Sequence, residues 1–127
     1  MLKTLVLDNQ KIPLTKGIQL RNFIHIDDVC SAYQIVINKI NSFTSSYIDL
    51  DVCSNYSISI KNLMLILKKI TKSNADLNFG IIPYRENELM MSISDNTKLS
   101  KLGWSPKIDL EDGIRKCHLK INSFKNS

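Results

Sequence analysis

At 127 residues, 43% of them hydrophobic and 23% charged, the chain has an ordinary globular composition and the length of one domain with a sizeable core. Its net charge of +5 comes from lysines and arginines scattered from Lys3 to Lys125 without a basic block, which argues against nucleic acid as a partner. Three well-separated cysteines, no CxxC and two histidines argue against a zinc site or disulfide framework and fit reduced thiols in a cytoplasm. No apolar run approaches the roughly 20 residues that span a bilayer, so a membrane is not an expected partner either.

In chain order, Leu5–Leu7 and Ile12–Leu14 read as short extended pieces around the polar turn DNQK, and Gly17 breaks the chain before Gln19. From Arg21 to Ile26 the alternation predicts a strand, with Arg21, Phe23 and His25 on one face and Asn22, Ile24 and Ile26 on the other. Asp27 and Asp28 then read as caps of a helix whose apolar stripe is Val29, Ala32, Tyr33, Val36, Ile37 and Ile40. SSYIDLDV, residues 45–52, reads as another strand, and SISIKNLMLILKKITK as a helix capped by Ser59 with Leu63, Leu67 and Ile70 inward.

Pro83 holds Ile82 extended, which disfavours helix there, and a further short strand is expected within NFGIIPYRENELMMSISDN. Met90 and Met91 read as core or lid filling. A short helix over Thr97–Leu102 stops at Gly103, a good left-handed cap, and Pro106 prevents it from resuming. Asp95 and Asn96 read as its cap and Trp104 as a packed indole. Asp109 with Asp112 three residues on reads as a capping pair for a last helix through Ile114 and Leu119, with FKNS fraying. Strands alternate with helices, so the class is α/β or α+β, and residues 1–127 form a single unit without repeat or linker.

Several chemistries are missing. The four glycines, Gly17, Gly80, Gly103 and Gly113, are too far apart for a dinucleotide or phosphate loop. No tyrosine is followed four residues on by lysine, and no GxSxG elbow is present. From the residues alone, Arg21 is a surface cation paired with Asp27 or Asp28, and YRENE is a solvated loop.

Three stretches together resemble the C-terminal part of the extended short-chain dehydrogenase/reductase family, the NAD(P)-dependent nucleotide-sugar epimerases, dehydratases and reductases. LTKGIQLRNFIHIDDVCSAY resembles the family's strand-to-helix segment, usually written R-D-F-I-H-V-D-D-V. YIDLDVCSNYSISIKNLMLIL resembles its next strand, loop and capped helix, with CSN in place of the usual glycine-containing turn. IPYRENELMMSISDNTKLSKLGWSPKIDLEDGI resembles its ending, with L-G-W-x-P and L-E-x-G-I. The wording of LTKGIQLR and YRENE is most similar to the CDP-sugar reductases and epimerases.

The resemblance implies an α/β fold: the C-terminal portion of a Rossmann-type enzyme, one partial domain over 1–127, without the dinucleotide-binding half that carries the cofactor glycines and the Tyr/Lys pair. It implies a nucleotide sugar as ligand, with Arg21 and Arg85 on the diphosphate, Glu88 on ribose hydroxyls and Gln19 beside the nucleotide. It implies no catalytic residue and no metal in this chain, and, since the family's proton chemistry lies elsewhere, it makes His25 a packed strand residue and not a base. NAD or NADP serves the intact family enzyme, and none is expected to bind this chain alone. Expected companions are a chain carrying the missing Rossmann half or a second copy of this one. The alternative reading is a non-catalytic remnant or interaction module that folds on a partner chain.

Overall fold

A computed structural model describes residues 10–125, the side chains of 121–125 excepted; the extended piece expected at Leu5–Leu7 lies outside the described residues. Two small sheets carry the strands. Strand β1 (Lys11–Leu14) pairs in parallel with β4 (Asp76–Phe79), in the register Lys11 to Asp76 through Leu14 to Phe79. Pro13 lacks an N–H and is accommodated in this pair, which among the described residues has two strands, each with an outer edge. In the other sheet β2 (Leu20–Arg21) is central, antiparallel to β3 (Ile58–Ser59) and parallel to β5 (Met91–Ser92).

Helix α1 spans Ile26–Asn38, α2 Ile60–Thr71, α3 Thr97–Lys101 and α4 Leu110–Lys125, so the last helix includes Phe124 and Lys125 of the tail expected to fray. Ser59 caps α2 by accepting from the Asn62 N–H at 3.2 Å, as its position predicts. Asp109 does the same for α4, accepting from the Asp112 N–H at 2.8 Å. Gly103, at φ +89°, ends α3: the Gly103 N–H reaches the Ser100 carbonyl and the Trp104 N–H the Leu99 carbonyl, a Schellman arrangement.

Leu63, Met64, Leu67, Ala75 and Ile114 form one buried cluster, where α2 and α4 meet the β1–β4 sheet through Ile12, Leu14, Leu77 and Phe79. Ala32, Leu99 and Trp104 form a second, with Ile24, Ile35, Val36, Leu50 and Val52 around it. Each fully buried Leu contributes on the order of 1.5 to 3 kcal/mol. The Trp104 Nε1–H donates to Ser31 Oγ at 2.9 Å, so the indole is packed and satisfied as expected.

Several expectations are corrected. The strand expected from Arg21 ends there; residues 22–25 run extended with no ladder partner among the described residues. The cap of α1 is His25, whose Nδ1 accepts from the Asp27 N–H at 3.2 Å, and its side chain is 6% exposed against Gly113 of α4. Asp28 is no cap. It is buried, and its two carboxylate oxygens accept from the Lys107 and Ile108 N–H groups, each at 3.0 Å. This one carboxylate ties the first turn of α1 to the segment entering α4.

Residues 45–52 are not a strand: no strand among the described residues pairs with them, and they bend at 45–46 and run on without regular structure, with Leu50 and Val52 on the Trp104 cluster. Tyr33, Ile37 and Ile40 are 65%, 63% and 61% exposed, so the inward face of α1 is Asp28, Ala32, Ile35 and Val36 instead. Met90 and Met91 are exposed as well, at the β5 edge.

Candidate functional site

Strand β2 emerges from a turn at Gly17, where φ is +69° and a Cβ would meet the Lys61 backbone nitrogen at 2.9 Å. The Gly17 carbonyl accepts from the Lys61 N–H at 2.8 Å, so backbone meets backbone there and only glycine fits. From this fixed start the pleat sends Gln19 and Arg21 to the same side. The parallel pairing of β2 with β5 then brings the loop at residues 80–90 alongside them.

That loop is pinned to β2 at both ends. The Ile18 N–H donates to Tyr84 Oη at 3.0 Å, and the Leu20 N–H donates to the Met90 carbonyl at 2.8 Å. Between the pins, residues 85–88 make a turn: the Glu88 N–H donates to the Arg85 carbonyl at 3.1 Å and Asn87 takes a left-handed φ of 63°. Asparagine tolerates this conformation better than most residues.

Glu88 is where the predicted residues meet. Its Oε1 lies 3.4 Å from Gln19 Nε2 and 3.5 Å from Arg21 Nη2. Arg21 also donates from Nη1 to the Leu20 carbonyl at 2.7 Å and from Nη2 to the Leu89 carbonyl at 2.6 Å. These bonds hold the guanidinium plane in one orientation while Nε–H and one Nη1 hydrogen find no acceptor among the described residues. The ion pair of Arg21 is therefore with Glu88 and not with Asp27 or Asp28; Asp27 lies 3.7 Å from Lys116 Nζ. Arg85 is exposed in the same turn and makes no side-chain hydrogen bond or ion pair among the described residues.

The structure thus brings together Gln19, Arg21 and Glu88 and puts Arg85 three residues from Glu88. A guanidinium held by backbone and a second one free to swing can grip an anion from two sides. No group of three or more His, Cys, Asp or Glu side chains among the described residues could hold a metal ion.

Two residues that organise the site were not singled out from the sequence. Asn22 donates from Nδ2 to the Ser54 and Tyr56 carbonyls at 3.2 and 2.9 Å, and its Oδ1 accepts from the Ser94 N–H at 3.2 Å. It therefore joins the end of β2 to two loops. The available signal was a polar residue on the face shared with Ile24. Tyr84, the first residue of YRENE, carries the pin to Ile18.

Asn96 does not cap α3 with its side chain; it donates to the Cys53 carbonyl at 3.0 Å and to Asn55 Oδ1 at 2.9 Å. Asp95 takes the capping role through the Thr97 hydroxyl and N–H, and those two bonds hold its carboxyl below the ordinary aspartate range. Burial pushes the Cys53 thiol up, and the charges of Asp51 and Asp95 push it the same way, against a hydrogen bond from Asn96. Alkylation should therefore modify the exposed Cys30 and Cys117 rapidly and Cys53 only on unfolding, read as two fast thiols and one slow one by mass spectrometry. Three equally fast thiols would contradict the packing around Cys53.

A cavity of about 440 Å³ lies elsewhere, between residues 23–26, α2 and α4, lined mainly by Phe23, Ile24, Leu63, Leu67, Leu110 and Ile114. Its walls are almost wholly apolar, so it offers nothing to a phosphate and belongs to the core beside Ile114.

Comparison with known proteins gives the same direction. No family model matches the chain. It is 36% identical over 109 residues to the CDP-abequose synthase of Salmonella muenchen, a match covering 86% of this chain and 36% of that protein. Among solved structures, DdhaC is 27% identical with a TM-score of 0.75, covering 98% of this chain and 36% of that one. The Campylobacter jejuni GDP-mannoheptose C4 reductase MlghC, with NADP bound, is 26% identical with a TM-score of 0.68, covering 84% and 33%. The chain spans about a third of the length of the curated relatives it matches, 36% and 35% for two CDP-abequose synthases. By sequence likeness and fold its homologues and structural neighbours are extended short-chain dehydrogenase/reductase nucleotide-sugar enzymes, and the chain matches the C-terminal part of that family.

Proposed function

We propose that this chain is the nucleotide-sugar-binding portion of an NAD(P)-dependent nucleotide-sugar epimerase, dehydratase or reductase, forming one partial domain over residues 1–127 and inactive alone. The observation that carries this reading is the convergence of Gln19 and Arg21 on Glu88, with Arg85 in the same short turn. Arg21 and Arg85 hold the diphosphate, Glu88 accepts from ribose hydroxyls, and Gln19 lies beside the nucleoside. The likeness to CDP-abequose synthase supports a cytidine nucleotide first. Holding the remote nucleotide fixes the sugar for reaction, turning binding energy into orientation.

NAD or NADP, when bound in the intact enzyme, exchanges hydride with the sugar; this chain's share is to bind and orient. Free thiols, two of them exposed, support a reducing, cytoplasmic setting. No helix among the described residues is long and apolar enough to cross a membrane. Isolated chain mixed with NAD(P)H and nucleotide sugars is expected to give no absorbance change at 340 nm, and sustained turnover would contradict the division of labour. The binding reading is tested by calorimetric titration at low salt: CDP and UDP should bind about tenfold or more tighter than CMP and UMP, with affinity falling as salt screens the arginines. Equal affinity for mono- and diphosphates would contradict a diphosphate clamp.

A second reading, an interaction module that docks on a partner chain, is favoured by α1. Ile26, Cys30, Tyr33 and Ile37, continued by Ile40 in the following 3-10 turn, recur at helical spacing and are all exposed, opposite the face that packs on Trp104. A helix apolar on two faces asks for cover on both. A Rossmann half like that of the family is the first candidate to cover this face, and a second copy of the chain is the other. Sedimentation should show concentration-dependent association, with Cys30 alkylation slowing in step while Cys117 is unaffected. A monomer at all concentrations with Cys30 uniformly fast would contradict this second reading.

A further inference from the structure

Gln19 is only 8% exposed, yet its side-chain oxygen Oε1 accepts no hydrogen bond from any described residue. The amide cannot simply be turned round. Its nitrogen faces Glu88 Oε1 at 3.4 Å, and reversal would press the amide oxygen against a carboxylate oxygen. Glu88, held by Arg21, therefore fixes which end of Gln19 is left over, and that end is an acceptor. A buried unpartnered acceptor is costly and rare in folded proteins, and it is satisfied by any ligand that brings a donor.

We propose that Gln19 Oε1 is a specificity-determining acceptor that reads a neutral N–H or O–H donor on the nucleoside of the bound nucleotide. This rests on the binding reading above and deepens it. The diphosphate of a nucleotide sugar is esterified at both ends and carries no O–H at neutral pH, so in that ligand Gln19 Oε1 is not a further phosphate contact. In a cytidine nucleotide two parts carry the required chemistry: the ribose hydroxyls and the exocyclic base amine. The arginines then supply affinity that any diphosphate can use, and Gln19 supplies discrimination among nucleosides.

The test is titration of inorganic pyrophosphate, CDP, UDP and 2′-deoxy-CDP into the full chain and into Gln19→Met, which keeps length and volume but removes the amide. Gln19→Leu serves as a second apolar variant should the first fold poorly by circular dichroism. The expected result is about tenfold weaker CDP binding with pyrophosphate binding unchanged. A penalty that vanishes for UDP assigns the base amine, and one that vanishes for 2′-deoxy-CDP assigns the 2′-hydroxyl; either supports the inference. The ligand-free variant should melt close to wild type, because removal of the orphan acceptor offsets loss of the long 3.4 Å contact to Glu88. An equal loss for pyrophosphate and CDP, or no loss for either, would overturn the inference and leave the arginine clamp standing. Failure of the wild type to bind pyrophosphate and every nucleotide would instead overturn the binding reading, and this inference with it.

Discussion

Replacing Arg21 or Arg85 by alanine is expected to weaken nucleoside diphosphate binding by about one to two decades each, at about 1.4 kcal/mol per decade. In the proposed clamp each guanidinium gives the diphosphate charge-assisted hydrogen bonds worth roughly 1.5 to 3 kcal/mol apiece, partly offset by the water both partners lose. The two variants should differ in stability. Arg21 bonds the Leu20 and Leu89 carbonyls and lies beside Glu88, so its loss frees the loop and leaves a half-buried carboxylate without its cation. Arg21→Ala should therefore also lower the melting temperature by several degrees. Arg85 is exposed and makes no side-chain bond among the described residues, so Arg85→Ala should melt like wild type. Lysine should restore binding only partly at either place, because it keeps the charge and loses the planar fork. Unchanged affinity in both alanine variants, with the fold intact by circular dichroism, would remove the clamp.

Asp28→Ala is expected to be the most destabilising single change outside the hydrophobic clusters, costing about 3 kcal/mol in urea unfolding. The carboxylate accepts two backbone hydrogen bonds, from Lys107 and Ile108, and no other described residue replaces it there. Both amides would be left partly buried and unpaired, and the first turn of α1 would lose an anion where the helix dipole favours one. Asp28→Asn, which keeps one oxygen, should cost about half as much. Its neighbour provides the control. Asp27 is largely exposed beside Lys116, and Asp27→Ala should stay within about 0.5 kcal/mol of wild type. Equal effects at the two positions would contradict the tie between α1 and the segment entering α4.

These cases also show which features a sequence displays. Ser59, Gly103 and Asp109 were legible because a cap acts on its own helix within a few residues, and local spacing suffices. Leu63 and Leu67 were legible for the same reason. Asp28 was not: two aspartates ahead of an amphipathic run look like caps, and its true partners stand 79 and 80 residues away. The alternation at 45–52 has the look of a strand, but a strand also needs a neighbour, which local pattern cannot supply. Tyr33 and Ile37 share helical spacing with Ala32, and spacing alone does not reveal that α1 is apolar on two faces.

At the candidate site, Gln19, Arg21, Arg85 and Glu88 were named through family resemblance. What the sequence could not show is that one oxygen of Glu88 is approached by both Gln19 and Arg21, a meeting across 69 residues that depends on the parallel pairing of β2 with β5. The orphan oxygen of Gln19 follows from that meeting and has no sequence signature.

The most direct test of the central claim is a CDP titration of ¹⁵N-labelled chain followed by amide chemical shifts. The account predicts saturable shifts concentrated at residues 18–21 and 84–89, because Tyr84 and Arg21 fasten that loop to β2 and the ligand bridges the two. Shifts centred instead on the apolar cavity beside Phe23, Leu63 and Ile114, or no saturable shift at all, would contradict it.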